Sequence, residues 1–153
     1  MRATRPRWRF NLAYGVNDRL LVGLEYNAVV SELSPTANYT LLFETTKQPM
    51  ISLGTSSDRI FSPEGTRSTY ITFGKSLPNT RIAPYLSVNY SSWEGGFNFP
   101  FGVNFALHPQ WDAMIQHDGR NTHWLLTYKV QQASISLLLV KGRHWGISAG
   151  IRF

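Results

Sequence analysis

Apolar and small or polar residues alternate along most of this chain, a period of two that belongs to strands rather than helices. Bulky apolar side chains keep to one parity in Trp8, Phe10, Leu12 and Tyr14, then in Val22, Leu24 and Tyr26, then in Tyr39, Leu41 and Phe43. Ile51 and Leu53, then Thr69, Ile71 and Phe73, then Ile82, Pro84, Leu86, Val88 and Tyr90 continue the pattern. The clearest run sets Phe97, Phe99, Phe101, Val103, Phe105 and Leu107 against Asn98, Pro100, Gly102, Asn104 and Ala106. Four more segments follow, led by Trp111, Trp124, Ile135 and Trp145, with turn-forming Gly, Pro, Asn and Ser between them. The pattern predicts about eleven short antiparallel strands.

The turns support these faces. A turn at Asn17, Asp18 and Arg19 pairs Tyr14 with Val22 and Leu12 with Leu24. A two-residue turn at Gln131 and Gln132 pairs Tyr128 with Ile135 and Leu126 with Leu137. A turn over His108, Pro109 and Gln110 pairs Leu107 with Trp111 and Phe105 with Ala113. In each case apolar residues meet apolar residues, and a slip of one residue would exchange the faces. Short turns are expected near Asp18, Gln48, Asn79, Pro109 and Gln131. Longer connections are expected at Ser31–Ala37, Ser56–Arg67, Ser91–Gly96, His117–Asn121 and Lys141–His144.

Which face meets solvent is decided by composition. Aromatic residues make up 14% of the chain and charged residues 16%, against about 25% charged in ordinary soluble domains. A water-exposed sheet face would carry Lys and Glu, whereas the polar parity here is mainly Gly, Ala, Ser, Thr and Asn. That suits the inside of a narrow barrel, with the bulky parity facing lipid. The fold expected is all-β: an antiparallel transmembrane β-barrel of about 10–12 strands, with short periplasmic turns and longer outer loops. The length fits one domain over residues 1–153, with a basic tail at 1–6. No apolar run approaches the ~18 residues of a transmembrane helix, and no secretory signal opens the sequence. Export would require such a signal, so the chain reads as a mature or excerpted form. An odd count of about eleven departs from the even numbers of bacterial single-chain barrels. A missed strand, a missing segment or a strand from a partner chain would restore parity.

The last nine residues, WGISAGIRF from Trp145 to Phe153, resemble the C-terminal strand of Gram-negative outer-membrane β-barrel proteins. The resemblance implies location in the outer membrane, and recognition of Phe153 by the barrel assembly machinery. Trp8, Trp124 and Trp145 fall toward the outer strand ends, and Tyr14, Trp111 and Tyr128 toward the periplasmic ends. All six lie on the bulky parity, where interfacial aromatic girdles belong.

Charge identifies two further sets. Arg9, Glu25, Glu44, Asp112, Lys129 and Arg152 lie on the small parity, as candidates to line a lumen or to pair across it. Arg59, Arg67, Arg120, Lys141, Arg143 and His144 lie in expected outer loops. Arginine binds phosphate bidentately, so this set is a candidate contact for lipopolysaccharide. The formal charge of +6 is scattered singly and forms no stripe for nucleic acid. The chain lacks cysteine, its four histidines have no metal-ligand spacing, and no cofactor is expected. His117, Asp118 and His123, with Ser91 or Ser92, are the nearest approach to a hydrolytic set, and Asp118-Gly119 also reads as an ordinary turn. The expected function is a narrow pore or export conduit for solutes or a polymer. A structural or docking barrel, a lipid-modifying enzyme and a soluble ligand-binding barrel are the alternatives.

Overall fold

A computed structural model of the protein describes residues 9–28, 30–58 and 62–151. Trp8, Arg59, Arg152 and Phe153 lie outside the described residues. Among the described residues, twelve strands and no helix form one antiparallel sheet: β1 Arg9–Gly15, β2 Leu20–Asn27, β3 Glu32–Leu42, β4 Met50–Ser57, β5 Arg67–Gly74 and β6 Ile82–Ser91, followed by β7 Gly96–Asn98, β8 Phe101–His108, β9 Trp111–His117, β10 Thr122–Val130, β11 Ala133–Val140 and β12 His144–Ile151. The strands pair in chain order, with β7 beside β6 as a short companion to β8. Among the described residues the sheet is open. The chain divides into two compact units, Met1–Phe73 with Ser87–Asn98 and Gly74–Leu86 with Phe99–Phe153.

Most of the expected registers are present. Leu12 pairs with Leu24 and Tyr14 with Val22 in the first unit. Leu126 pairs with Leu137 and Tyr128 with Ile135 in the second. The turns are built locally. Asn17 Oδ1 accepts the N–H groups of Arg19 and Leu20, both at 2.9 Å, closing the first hairpin. Gln131 adopts φ 50° in the two-residue turn between β10 and β11, where positive φ suits the twist of a tight hairpin.

Four expectations are corrected. The third strand begins at Glu32, with Asn27 opposite Glu32 and Leu24 opposite Pro35, so the long loop expected at 31–37 is a tight turn. Alternation through Leu33, Pro35, Ala37 and Tyr39 extends the ladder past the turn-like Ser-Pro-Thr composition. Phe43 and Glu44 lie beyond that strand, in the connection 43–49, so Glu44 is an exposed loop residue rather than an inward strand residue. The run from Phe97 to Leu107 is broken into β7 and β8 around Pro100, a residue with no N–H to give to a ladder. Finally, the register shifts between Ala106 and His108, so His108 rather than Leu107 faces Trp111. Loop length does not sort the strand ends either. The connections expected to be short include 43–49 and 75–81, while 141–143, expected to be long, is tight.

The distribution of polarity is inverted relative to a water-soluble sheet protein. No hydrophobic side chain is buried among the described residues. Those that are buried are polar, among them Glu25, Asn27, Ser34, Ser52, Ser87, Asn89 and Ser91. Large apolar residues stand outside, with Leu12 68% and Ile147 80% exposed. Within each unit, small residues make room for large ones on the polar face. A Cβ added at Gly54 would overlap the Tyr70 ring, and one at Gly102 would lie 2.7 Å from Tyr85. Gly54→Ala should therefore destabilise the fold by about 1–3 kcal/mol, as overpacking does. Urea unfolding in detergent checks this. A Gly54→Ala, Tyr70→Ser double variant should recover most of the loss.

Candidate functional site

The polar parity of the first unit converges on a hydrogen-bonded interior. Glu25 projects from β2 and takes a hydrogen bond from Ser57 Oγ at the end of β4. Arg9 Nη1 lies 3.6 Å from the other oxygen of Glu25. Ser91 Oγ, fully buried at the end of β6, donates to Asp58. Thr72 and Ser87 share a bond at 2.7 Å, and Asn89 Nδ2 donates to Asn98 Oδ1 at 3.2 Å. Glu32 Oε1 accepts the Gly65 N–H at 2.8 Å. Such pairing is what burial requires, since an unmatched buried polar group costs roughly 1–3 kcal/mol. Asn27 departs from it: it is 1% exposed, and neither its Oδ1 nor its Nδ2 has a hydrogen-bond partner among the described residues.

In the second unit the same parity carries Asp112 and Lys129, joined at 2.5 Å. Tyr85 Oη donates to Gln116 Oε1 at 3.2 Å, and Thr127 shares a bond with Ser136 at 2.8 Å. The pairs Arg9 with Glu25 and Asp112 with Lys129 each lie within one unit.

The histidine cluster is a loop clamp. Asp118 Oδ1 accepts the N–H groups of Arg120 at 2.8 Å and Asn121 at 2.7 Å, and Gly119 adopts φ 90°. Asp118 Oδ2 meets His123 Nε2 at 2.9 Å, and the Lys141 N–H donates to His123 Nδ1 at 3.4 Å. Both ring nitrogens are thus engaged in holding turns. His117 Nδ1 is bonded to Thr122 Oγ1 at 3.2 Å. The candidate serines are likewise committed, Ser91 to Asp58 and Ser92 Oγ to the Arg67 N–H at 2.8 Å. Burial pushes the Asp118 carboxyl up, but the hydrogen bonds from His123, Asn121 and Arg120 and the charge of His123 outweigh it and hold the group below its ordinary range.

Of the described basic loop set, Arg67 lies in the first unit and Arg120, Lys141 and Arg143 in the second. Arg67 begins β5 and donates from Nη2 to the Pro35 carbonyl at 2.5 Å. Arg120 sits in the Asp118 turn, and Lys141 and Arg143 in the turn before β12. The aromatic set holds its parity. Tyr14, Trp124 and Trp145 are exposed, and the Trp111 and Tyr128 rings stack at 4.7 Å across β9 and β10. Asn27, Asp58 and Arg81 were not among the residues singled out from sequence. The signal available for Asn27 was its place on the small parity, two residues beyond Glu25.

Comparison with protein-family models, with curated proteins and with solved structures returned no match.

The lowered Asp118 carboxyl has a consequence for stability. Its contribution is fully present above an aspartate's ordinary pKa of about 3.9, and is lost as pH falls through the lowered folded value. Asp118→Asn should cost stability at pH 7, measured by urea unfolding. The gap between wild type and variant should close progressively between pH 5 and pH 2. A gap that stays constant on acidification would assign the turn's stability to shape rather than charge.

Proposed function

We propose that the chain is a β-barrel protein of the Gram-negative outer membrane, with its bulky face on lipid and a polar interior that serves as a narrow conduit for solutes or a polymer. One observation carries the membrane reading: the described residues bury polar side chains and no hydrophobic ones, while leucine, isoleucine and aromatic residues cover the opposite face. In water that arrangement would forgo the main driving force for folding. In lipid it is the favourable one, because ladders satisfy the backbone and apolar side chains meet acyl chains.

Hydrogen-bonding demand supports the conduit. Buried amides are almost always partnered by protein or water, and Asn27 and Asn98 Nδ2 have no hydrogen-bond partner among the described residues. A hydrated interior of hydroxyls and amides supplies them and suits the passage of polar solutes. The second reading, a structural or docking barrel without transport, is favoured by the buried pairs Ser57 with Glu25 and Ser91 with Asp58, which tie polar side chains of the first unit to one another. A lipid-modifying enzyme is less well supported, since His123 has both ring nitrogens engaged.

Among the described residues, successive strands on the pairing path, with β7 set aside, number eleven. Antiparallel closure in the bacterial manner takes an even number, so a further strand, from this polypeptide or a partner, belongs to the complete barrel. In the same reading, the basic loop residues Arg67, Arg120, Lys141 and Arg143, with Arg59, meet lipopolysaccharide phosphates, and Phe153 addresses the assembly machinery.

Purification with and without detergent tests the membrane reading. A β-rich species that needs detergent and changes mobility on heating is expected. A monodisperse β-rich species in plain buffer would overturn the lipid-facing assignment. Ion current in planar bilayers then separates conduit from sealed barrel. At single residues, Leu126→Arg or Leu137→Arg should destabilise by about 2–4 kcal/mol, as for a cation facing the bilayer midplane. Ser136→Arg, on the other parity, should cost much less. Equal losses at the two parities would contradict the assignment of faces.

A further inference from the structure

The second unit holds a cleft of about 280 Å³ lined by Arg81, Ala106, His108, Pro109, Asp112 and Lys129. It lies where the connections 75–81 and 109–110 meet the ends of β8, β9 and β10. We infer that this cleft binds a phosphate monoester or phosphodiester group, with Arg81 as its principal ligand. The inference does not depend on whether the interior conducts.

Three observations carry it. First, the ladder is interrupted here: the register between β8 and β9 shifts at Leu107. Bulges of this kind re-aim groups beside functional sites. The shift leaves the Leu107 carbonyl to accept Arg81 Nη1 at 2.9 Å. Second, that backbone carbonyl is the acceptor holding Arg81, and no carboxylate pairs with it among the described residues. A guanidinium has five N–H donors in a planar fork, so one bond to a carbonyl leaves most of them available, in the geometry that matches a phosphate. Third, the rest of the lining adds donors. Lys129 is held at the cleft by Asp112 at 2.5 Å. His108 Nδ1 accepts the Gln110 N–H at 3.4 Å, which leaves Nε2 as the protonated, donating nitrogen. With one carboxylate against two permanent cations, the lining carries net positive charge. The volume exceeds that of a bare ion and admits a phosphate with a short organic arm.

Calorimetric titration of the full chain with glycerol 3-phosphate, in a non-ionic phosphate-free detergent, tests the assignment. Saturable binding is expected, weakened at least tenfold by Arg81→Gln and less by Arg81→Lys, which keeps the charge and loses the fork. Asp112→Asn should leave binding intact or tighten it, because it removes the one negative charge. A cation site would show the opposite response. Circular dichroism and heat-modifiability of each variant separate loss of the ligand from loss of the fold. Absence of binding by the wild type, equal binding by Arg81→Gln, or loss of binding in Asp112→Asn would each overturn the proposal. Micelles doped with phosphatidylglycerol distinguish the sources of the phosphate. Displacement of the ester by the lipid assigns a membrane headgroup, and undisturbed binding assigns a soluble phosphate ester.

Discussion

Parity in the antiparallel ladder is the constraint on which everything else here depends. A residue and its cross-strand partner share a face, so each turn that sets a register also sets which side chains meet across the sheet. Leu126 opposite Leu137 obliges Thr127 to face Ser136. Leu12 opposite Leu24 obliges Glu25 to lie with Asn11. Once the turns are made, the chain has one bulky apolar face and one small polar face. Hydrophobic burial within the chain is then unavailable to stabilise the second of these. The polar face is held by hydrogen bonds and paired charges, and under the membrane reading proposed above an apolar surrounding stabilises the other.

This explains the economy of the polar face. Serine, threonine and glycine dominate because they fit under the tyrosines and need few partners. Tyr70 lies against Gly54, and Tyr85 against Gly102. Where charge occurs it is matched, as in Arg9 with Glu25 and Asp112 with Lys129. Both pairs are partly exposed, so each contributes little net stability. Asn27 stands apart from this matching. Its amide, like Asn98 Nδ2, has no hydrogen-bond partner among the described residues, on a face where most buried polar groups are matched.

Much of the fold was legible in the sequence, because period-two alternation and turn chemistry are local signals. The hairpins at Asn17 and Gln131 have the registers read from their residues. The misreadings come from competition between local and ladder terms. Ser34, Pro35 and Thr36 have the composition of a loop, yet pairing with β2 holds them in a strand. Phe99 and Phe101 continue an apolar alternation, yet Pro100 cannot donate to the ladder and the strand breaks there. The bulge at Leu107 leaves no mark on composition, and it shifts the expected Leu107 to Trp111 pairing by one residue. Glu25, Asp112 and Lys129 lie on the parity read for them from the sequence, and their pairing with Arg9, Ser57 and one another adds what parity does not show. Arg81 was not legible in the sequence: its importance arises from a carbonyl turned toward it by that bulge, a long-range consequence invisible to periodicity.

Under the membrane reading proposed above, one stretch of ladder at the rim of the second unit serves two environments. Trp111 and Asp112 are consecutive on β9, and Tyr128 and Lys129 on β10, so successive side chains point to opposite faces. One face there carries the stacked Trp111 and Tyr128 rings, and the other the Asp112 and Lys129 pair beside Arg81. Tryptophan and tyrosine are favoured where hydrocarbon gives way to headgroups, and a charged side chain costs far less at that depth than at the bilayer centre. If the rings set the depth of this rim, the charged cleft behind them sits at an interface where it is inexpensive to maintain. The same depth is where phosphate groups are most concentrated, which is why the aromatic pair and the arginine cleft belong to a single physical account.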